Sequence, residues 1–155
     1  MAYMFKKFLA SSSILFLALF LVSTSVFAAT SDTSTLNKNQ QEALKIIDKA
    51  NAEINAKIDT AVIEANELQA TYLAETKEIQ LKEKGTTLTT KLAESKAEYT
   101  KNLNELSANL YNETLEISNE AIKQAAKLGV NATCSWVLVT LADQTIWIDP
   151  INVGL

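Results

Sequence analysis

The chain reads as a mainly α protein: a long antiparallel helical hairpin, coiled-coil-like, followed by a small C-terminal β-hairpin. Three observations carry this. Two runs of about forty residues, Asn39 to Lys84 and Leu88 to Leu128, contain neither Pro nor Gly and are dominated by Ala, Glu, Lys, Leu and Ile, the strongest helix formers. Both runs place apolar residues at alternating three- and four-residue intervals. After Gly129 the composition changes abruptly to Val, Ile, Leu and Trp, residues that favour strands.

Residues 1–28 precede this architecture and read as a signal peptide. Lys6 and Lys7 supply a basic start, Phe8 to Phe20 is almost wholly apolar, and Val26-Phe27-Ala28 offers an exit that places cleavage near Ala28. The apolar run falls short of the ~20 residues that span a bilayer, so cleavage is favoured over retention as an anchor. Residues 29–38 then form a polar, flexible lead-in. The expected location is extracellular, in the medium or loosely held at the cell surface. Lysine provides all of the basic charge, a composition that suits a bacterial source.

Within residues 39–128 each helix carries its own end signals. Asn39 with Glu42 has the spacing of a capping box. Lys82, Lys84 and Gly85 supply a stop, with a turn at residues 85–87, and Lys123, Lys127 and Gly129 repeat it. The first seam runs Leu44, Ile47, Asn51, Ile54, Ile58, Ala61, Ala65, Leu68, Tyr72, Glu75, Ile79. The second runs Leu92, Lys96, Tyr99, Leu103, Leu106, Leu110, Glu113, Ile117.

Folding the chain back at Gly85 sets residue i opposite a residue near 171 minus i. Tyr72 then meets Tyr99, Ala61 meets Leu110, and Glu75 falls opposite Lys96. Small against large and charge against counter-charge favour the hairpin over one continuous rod. Toward the open end the match fails, and Leu115, Ile122, Ala125 and Ala126 form an extra apolar set that needs a cover.

Residues 129–155 are expected to be that cover. Trp136 to Leu141 and Ile146 to Ile148 read as strands joined through Ala142-Asp143-Gln144-Thr145. The alternation puts Val137, Val139, Leu141, Ile146 and Ile148 on one face and Trp136, Leu138, Thr140, Trp147 and Asp149 on the other. The aliphatic face is expected to dock on Leu115, Ile122 and Ala126. Trp136 and Trp147 are then candidate partner contacts, weighed against simple burial in the core.

The chemical inventory excludes much. The chain has no His, no Arg and one Cys, which removes the usual general base, triad member and metal ligand. No catalytic residues, cofactor-binding residues or metal ligands are assigned. Carboxylate pairs such as Glu64 with Glu67 read as a solvated helix face. Removing Lys6 and Lys7 with the leader takes the net charge from −4 to −6, a poor match to nucleic acid. Cys134, the one cysteine of the chain, suits an intermolecular disulfide, a free thiol or the role of a small buried hydrophobe. The expected function is that of a secreted, non-enzymatic interaction or structural protein with an unidentified protein partner. A narrow two-helix seam also makes a homodimer of four helices attractive. The alternative is a membrane-active, toxin-like or bacteriocin-like factor that uses its apolar tail, the one reading in which the membrane is a partner.

Overall fold

The computed structural model describes residues 36–148 and, for backbone only, 151–153; the leader, most of the lead-in and Asp149-Pro150 lie outside the described residues. Two long helices, α1 (Lys38–Lys82) and α2 (Gly85–Lys127), pack against each other. They are followed by four short strands, β1 (Ala132–Cys134), β2 (Val137–Leu141), β3 (Gln144–Ile148) and β4 (Ile151–Val153). The mainly α hairpin with a C-terminal β-hairpin is therefore the fold.

The helix ends differ in detail from the sequence expectation. The capping box is Asn37 with Gln40: the Asn37 side chain accepts from the Gln40 backbone N–H at 2.9 Å, and the Gln40 side chain accepts from the Asn37 N–H at 2.9 Å. Asn39 and Glu42 have an equally good spacing but lie inside the helix, because the earlier pair adds backbone hydrogen bonds before the helix must start. The link between helices is Glu83-Lys84, and Gly85, in the left-handed region at φ +61°, opens α2 where a turn at 85–87 was expected. At the far end the expected stop is present. Gly129 has φ +79°, its N–H donates to Ala126 O, and the Val130 N–H donates to Ala125 O, both at 3.0 Å. These two bonds make a Schellman motif.

The register of the two helices follows the predicted fold-back. Tyr72 faces Tyr99, and Lys57 pairs with Glu113 at 2.8 Å. Glu75 departs from its predicted partner. It accepts a hydrogen bond from Ser95 at 3.3 Å, and Lys96 stays on the solvent side, since a long ammonium side chain keeps its hydration more cheaply at the surface.

On α2 the buried stripe has a period of eleven residues where a heptad was expected, while on α1 Ile47, Ile54 and Ala61 keep the spacing of seven. On α2 it recurs as Tyr99, Leu110 and Ala121, as Leu103, Thr114 and Ala125, and as Ser107 and Ser118; Ala43, Ile54 and Ala65 of α1 are likewise eleven apart. Eleven residues in three turns track a straight helix more closely than seven in two, which drift by about 20° per repeat. Ser95, Ser107, Thr114 and Ser118 escape an apolar pattern search although all are buried. Thr114 shows how that burial is tolerated: its hydroxyl donates to Leu110 O at 2.8 Å.

The tail forms one antiparallel ribbon in a constant register. Cys134 lies opposite Ile151, Val137 opposite Ile148, and Leu141 opposite Gln144. The β1–β4 and β2–β3 ladders are separate, with Ser135 and Trp136 between β1 and β2 outside both. β1 packs on α2 and β2 on α1, while β3 packs on α2 and β4 on α1. Each side of the ribbon thus crosses from one helix to the other, as the right-handed twist of a two-stranded ribbon favours.

The hairpin turn is tighter than expected. Ala142 and Asp143 alone connect β2 to β3, with Ala142 at φ +53°. The register shift amounts to two residues, an even number, so the sorting into two faces survives. Val139, Leu141 and Ile148 are buried as expected, whereas Val137, at the interruption of the ribbon, is largely exposed.

The docking position is corrected more substantially. The β-hairpin does not sit on Leu115, Ile122 and Ala126. Val139, Leu141 and Ile148 join a core with Ile54, Ala61, Ala65, Tyr99, Leu103 and Leu110, midway along the helices. The open end is closed by Val130, with Leu128 and Ala132 beside it, over Ala43, Ile47, Ala50, Ala121 and Ala125; Ala126 is exposed. The reason is rise per residue. The twelve steps from Val130 to Ala142 span ~40 Å as strand, a length that takes roughly 26 residues of helix. The tail therefore reaches back to Tyr99.

Candidate interaction surface

The ribbon tip is pinned by polar contacts that place its outer face. The Tyr99 hydroxyl donates to Asp143 Oδ1 at 2.6 Å, Gln144 Nε2 donates to Asn104 Oδ1 at 3.0 Å, and Ser107 Oγ lies 3.4 Å from Gln144 Oε1. Burial and the Asp143 carboxylate together push the Tyr99 phenol up to about 12, so it remains a neutral donor throughout the ordinary pH range. With Leu141 and Ile148 fully buried beneath, the alternation of a strand turns their neighbours outward.

Trp147 lies on that outer face in β3, whereas Trp136 stands just before β2, outside the ladder. Trp136 is 55% and Trp147 56% exposed, and Leu138, 51% exposed, stands directly opposite Trp147 in the ladder. Thr140 and Thr145, also opposed and exposed, continue the same face toward the tip. Among the described residues of this face no side chain is charged. Trp136 is steadied from the side by Tyr111 of α2, with ring centroids 6.5 Å apart and planes 13° from parallel. Tyr111 was not singled out by the sequence, because it lies off the helical seam and only the path of the ribbon brings Trp136 to it.

Cys134 sits in β1, half-buried, away from the tip. A concavity between the helices toward their open end has Ile46 and Ile117 in its lining, with Lys45 and Lys49 contributed by α1 and Glu116 and Glu120 by α2. The Lys57–Glu113 pair also lines it, and the hydrogen bond to Glu113 holds the Lys57 ammonium above its usual range. Among the described residues no group of three or more Cys, Asp or Glu side chains is placed to hold a metal ion. No described helix is long and apolar enough to cross a membrane.

No family model, curated protein or solved structure matches the chain. The reading of the surface therefore rests on its own chemistry.

Proposed function

We propose that this is an exported, non-enzymatic interaction protein that captures a protein partner on the outer face of its β-ribbon. The observation that supports this reading most is the pair Trp136 and Trp147, each more than half exposed. Aromatic side chains of this kind, rigid and amphipathic, are the commonest energetic anchors of protein interfaces. The helical hairpin serves as a stiff platform, and the buried inner face of the ribbon holds the tryptophans in place. Secretion, which follows from residues 1–28, puts the partner outside the producing cell or on its surface.

The test is capture from the producing cell's medium and surface by the wild-type protein and by the Trp136→Ser/Trp147→Ser variant. The expected result is a partner retained by the first and lost by the second, at unchanged thermal stability. Equal retention by both would refute the aromatic face as the binding surface.

A membrane-active role is the second reading, because tryptophans also favour the bilayer interface. It is disfavoured by the burial of Val139, Leu141 and Ile148 against the helices, since an inserting hairpin would first have to give up that core. Liposome leakage that disappears on deletion of residues 135–155 would favour this reading instead.

A further inference from the structure

We propose that the free edge of β3 takes an extended, uncharged segment of the partner protein as a third strand. The inference rests on the partner-binding reading above and specifies how the partner is held.

The turn decides which backbone groups are free. Ala142 and Asp143 form a two-residue connection, so the flanking pair, Leu141 and Gln144, exchanges both backbone hydrogen bonds. Pairs alternate from there. Val139 with Ile146 and Val137 with Ile148 are bonded pairs, whereas Thr140 with Thr145 and Leu138 with Trp147 are not. In a two-stranded sheet the N–H and C=O groups of this second set point away from the ladder. Thr145 and Trp147, both exposed, therefore present their donors and acceptors along the outer edge of β3. The complement of such a row is another extended backbone.

Open edges are ordinarily shielded by a charge, a proline, a bulge or a covering element. β3 reads Gln-Thr-Ile-Trp-Ile, without charge or proline, and its register with β2 contains no bulge. Among the described residues no further strand lies beside it. The ground next to the edge is also low. β3 packs on α2, Gln144 is bonded to Asn104, and Asn104 shares a shallow trough on α2 with Ala97 and Ala108. Inward side chains of an added strand have room over alanine, and its outward ones meet the Trp147 indole as a cross-strand neighbour. Trp147 belongs to both the aromatic face and the edge, so the two make one continuous surface.

A second copy does not fit this edge. Paired strands lie ~4.8 Å apart, whereas the two α2 helices beneath them would need ~8 to 10 Å. Docked ribbons therefore cannot meet edge to edge. The occupant is a strand with no helix beneath it, an extended segment of another protein.

Amide solvent exchange followed by NMR tests this, with a capped heptapeptide of alternating threonine and valine as the probe. At millimolar peptide, exchange of the Thr145 and Trp147 N–H groups should slow by about tenfold or more, while Leu138 and Thr140 keep their rates. The fully N-methylated peptide, which has no backbone donor, should give no protection. Thr145→Pro removes one edge donor and leaves the bonds to β2 intact, a placement that edge strands tolerate. It should weaken peptide binding about fivefold while the Val139 and Leu141 amides stay protected. Protection of Leu138 and Thr140 in place of Thr145 and Trp147, equal binding of the N-methylated peptide, or no protection at all would overturn the proposal. None of these results depends on the capture experiment above, whose failure would instead refute the aromatic face.

Discussion

Tyr72 of α1 lies flat against Tyr99 of α2, ring centroids 4.6 Å apart and planes within 10° of parallel. Tyr99 is thereby shared by three elements: its ring joins the two helices and its hydroxyl reaches the ribbon tip at Asp143. Truncation should discriminate these roles. Tyr99→Phe keeps the stack and removes the hydrogen bond, at a cost of about 1–2 kcal/mol. Tyr99→Ala removes both and should cost about 3–5 kcal/mol. Urea denaturation measures the two, and equal losses would show that the ring contributes nothing beyond its hydroxyl.

The same residue predicts an alkaline transition. Its folded pKa is raised to about 12 from 10.0, and the native state favours the protonated phenol. The contribution to stability is fully present below pH ~10 and is lost as pH rises through about 12. Melting temperature should therefore fall across that window, and Tyr99→Phe should flatten part of the fall. A variant with an unchanged alkaline profile would remove Tyr99 as the cause.

Adjacent positions on β2 should respond oppositely to the same charge. Val139 is buried against the helices and Thr140 is exposed. Val139→Asp places an unpaired carboxylate in the core and should cost at least 3 kcal/mol, whereas Thr140→Asp should stay within about 0.5 kcal/mol. Similar thermal melts for the two variants would mean that the ribbon does not dock in solution.

The tight turn stores a local cost at Ala142, whose φ of +53° lies in the left-handed region. Left-handed backbone costs an L-residue about 1–2 kcal/mol, and glycine escapes it. Ala142→Gly should raise stability by about 0.5–1 kcal/mol net of the lost methyl contacts, and Ala142→Val should lower it. The reverse order in calorimetry would indicate that packing of the Ala142 methyl outweighs the backbone.

The outward turn of Trp147 in β3 was legible, because a period of two sorts a strand's faces under any even shift of register. Tyr111 was not, for it stacks on Trp136 only after the ribbon has crossed α2. Buried hydroxyls such as Ser107 and Ser118 were equally invisible. Nothing local distinguishes a serine under a strand from one in water.

What the sequence determined by itself was local and periodic: two helices bounded by Gly85 and Gly129, their antiparallel pairing with Tyr72 on Tyr99, and the two faces of the tail. These follow from backbone freedom, propensity and spacing, which act over a few residues or along one seam. Which capping box starts α1, where the ribbon docks and what Glu75 pairs with were decided only by the tertiary structure. Each is a competition between near-equivalent local choices, Asn37 against Asn39 or Ser95 against Lys96. The winner depends on hydrogen bonds and apolar area summed over elements distant in the chain, and on a strand that rises more than twice as fast per residue as the helix it covers.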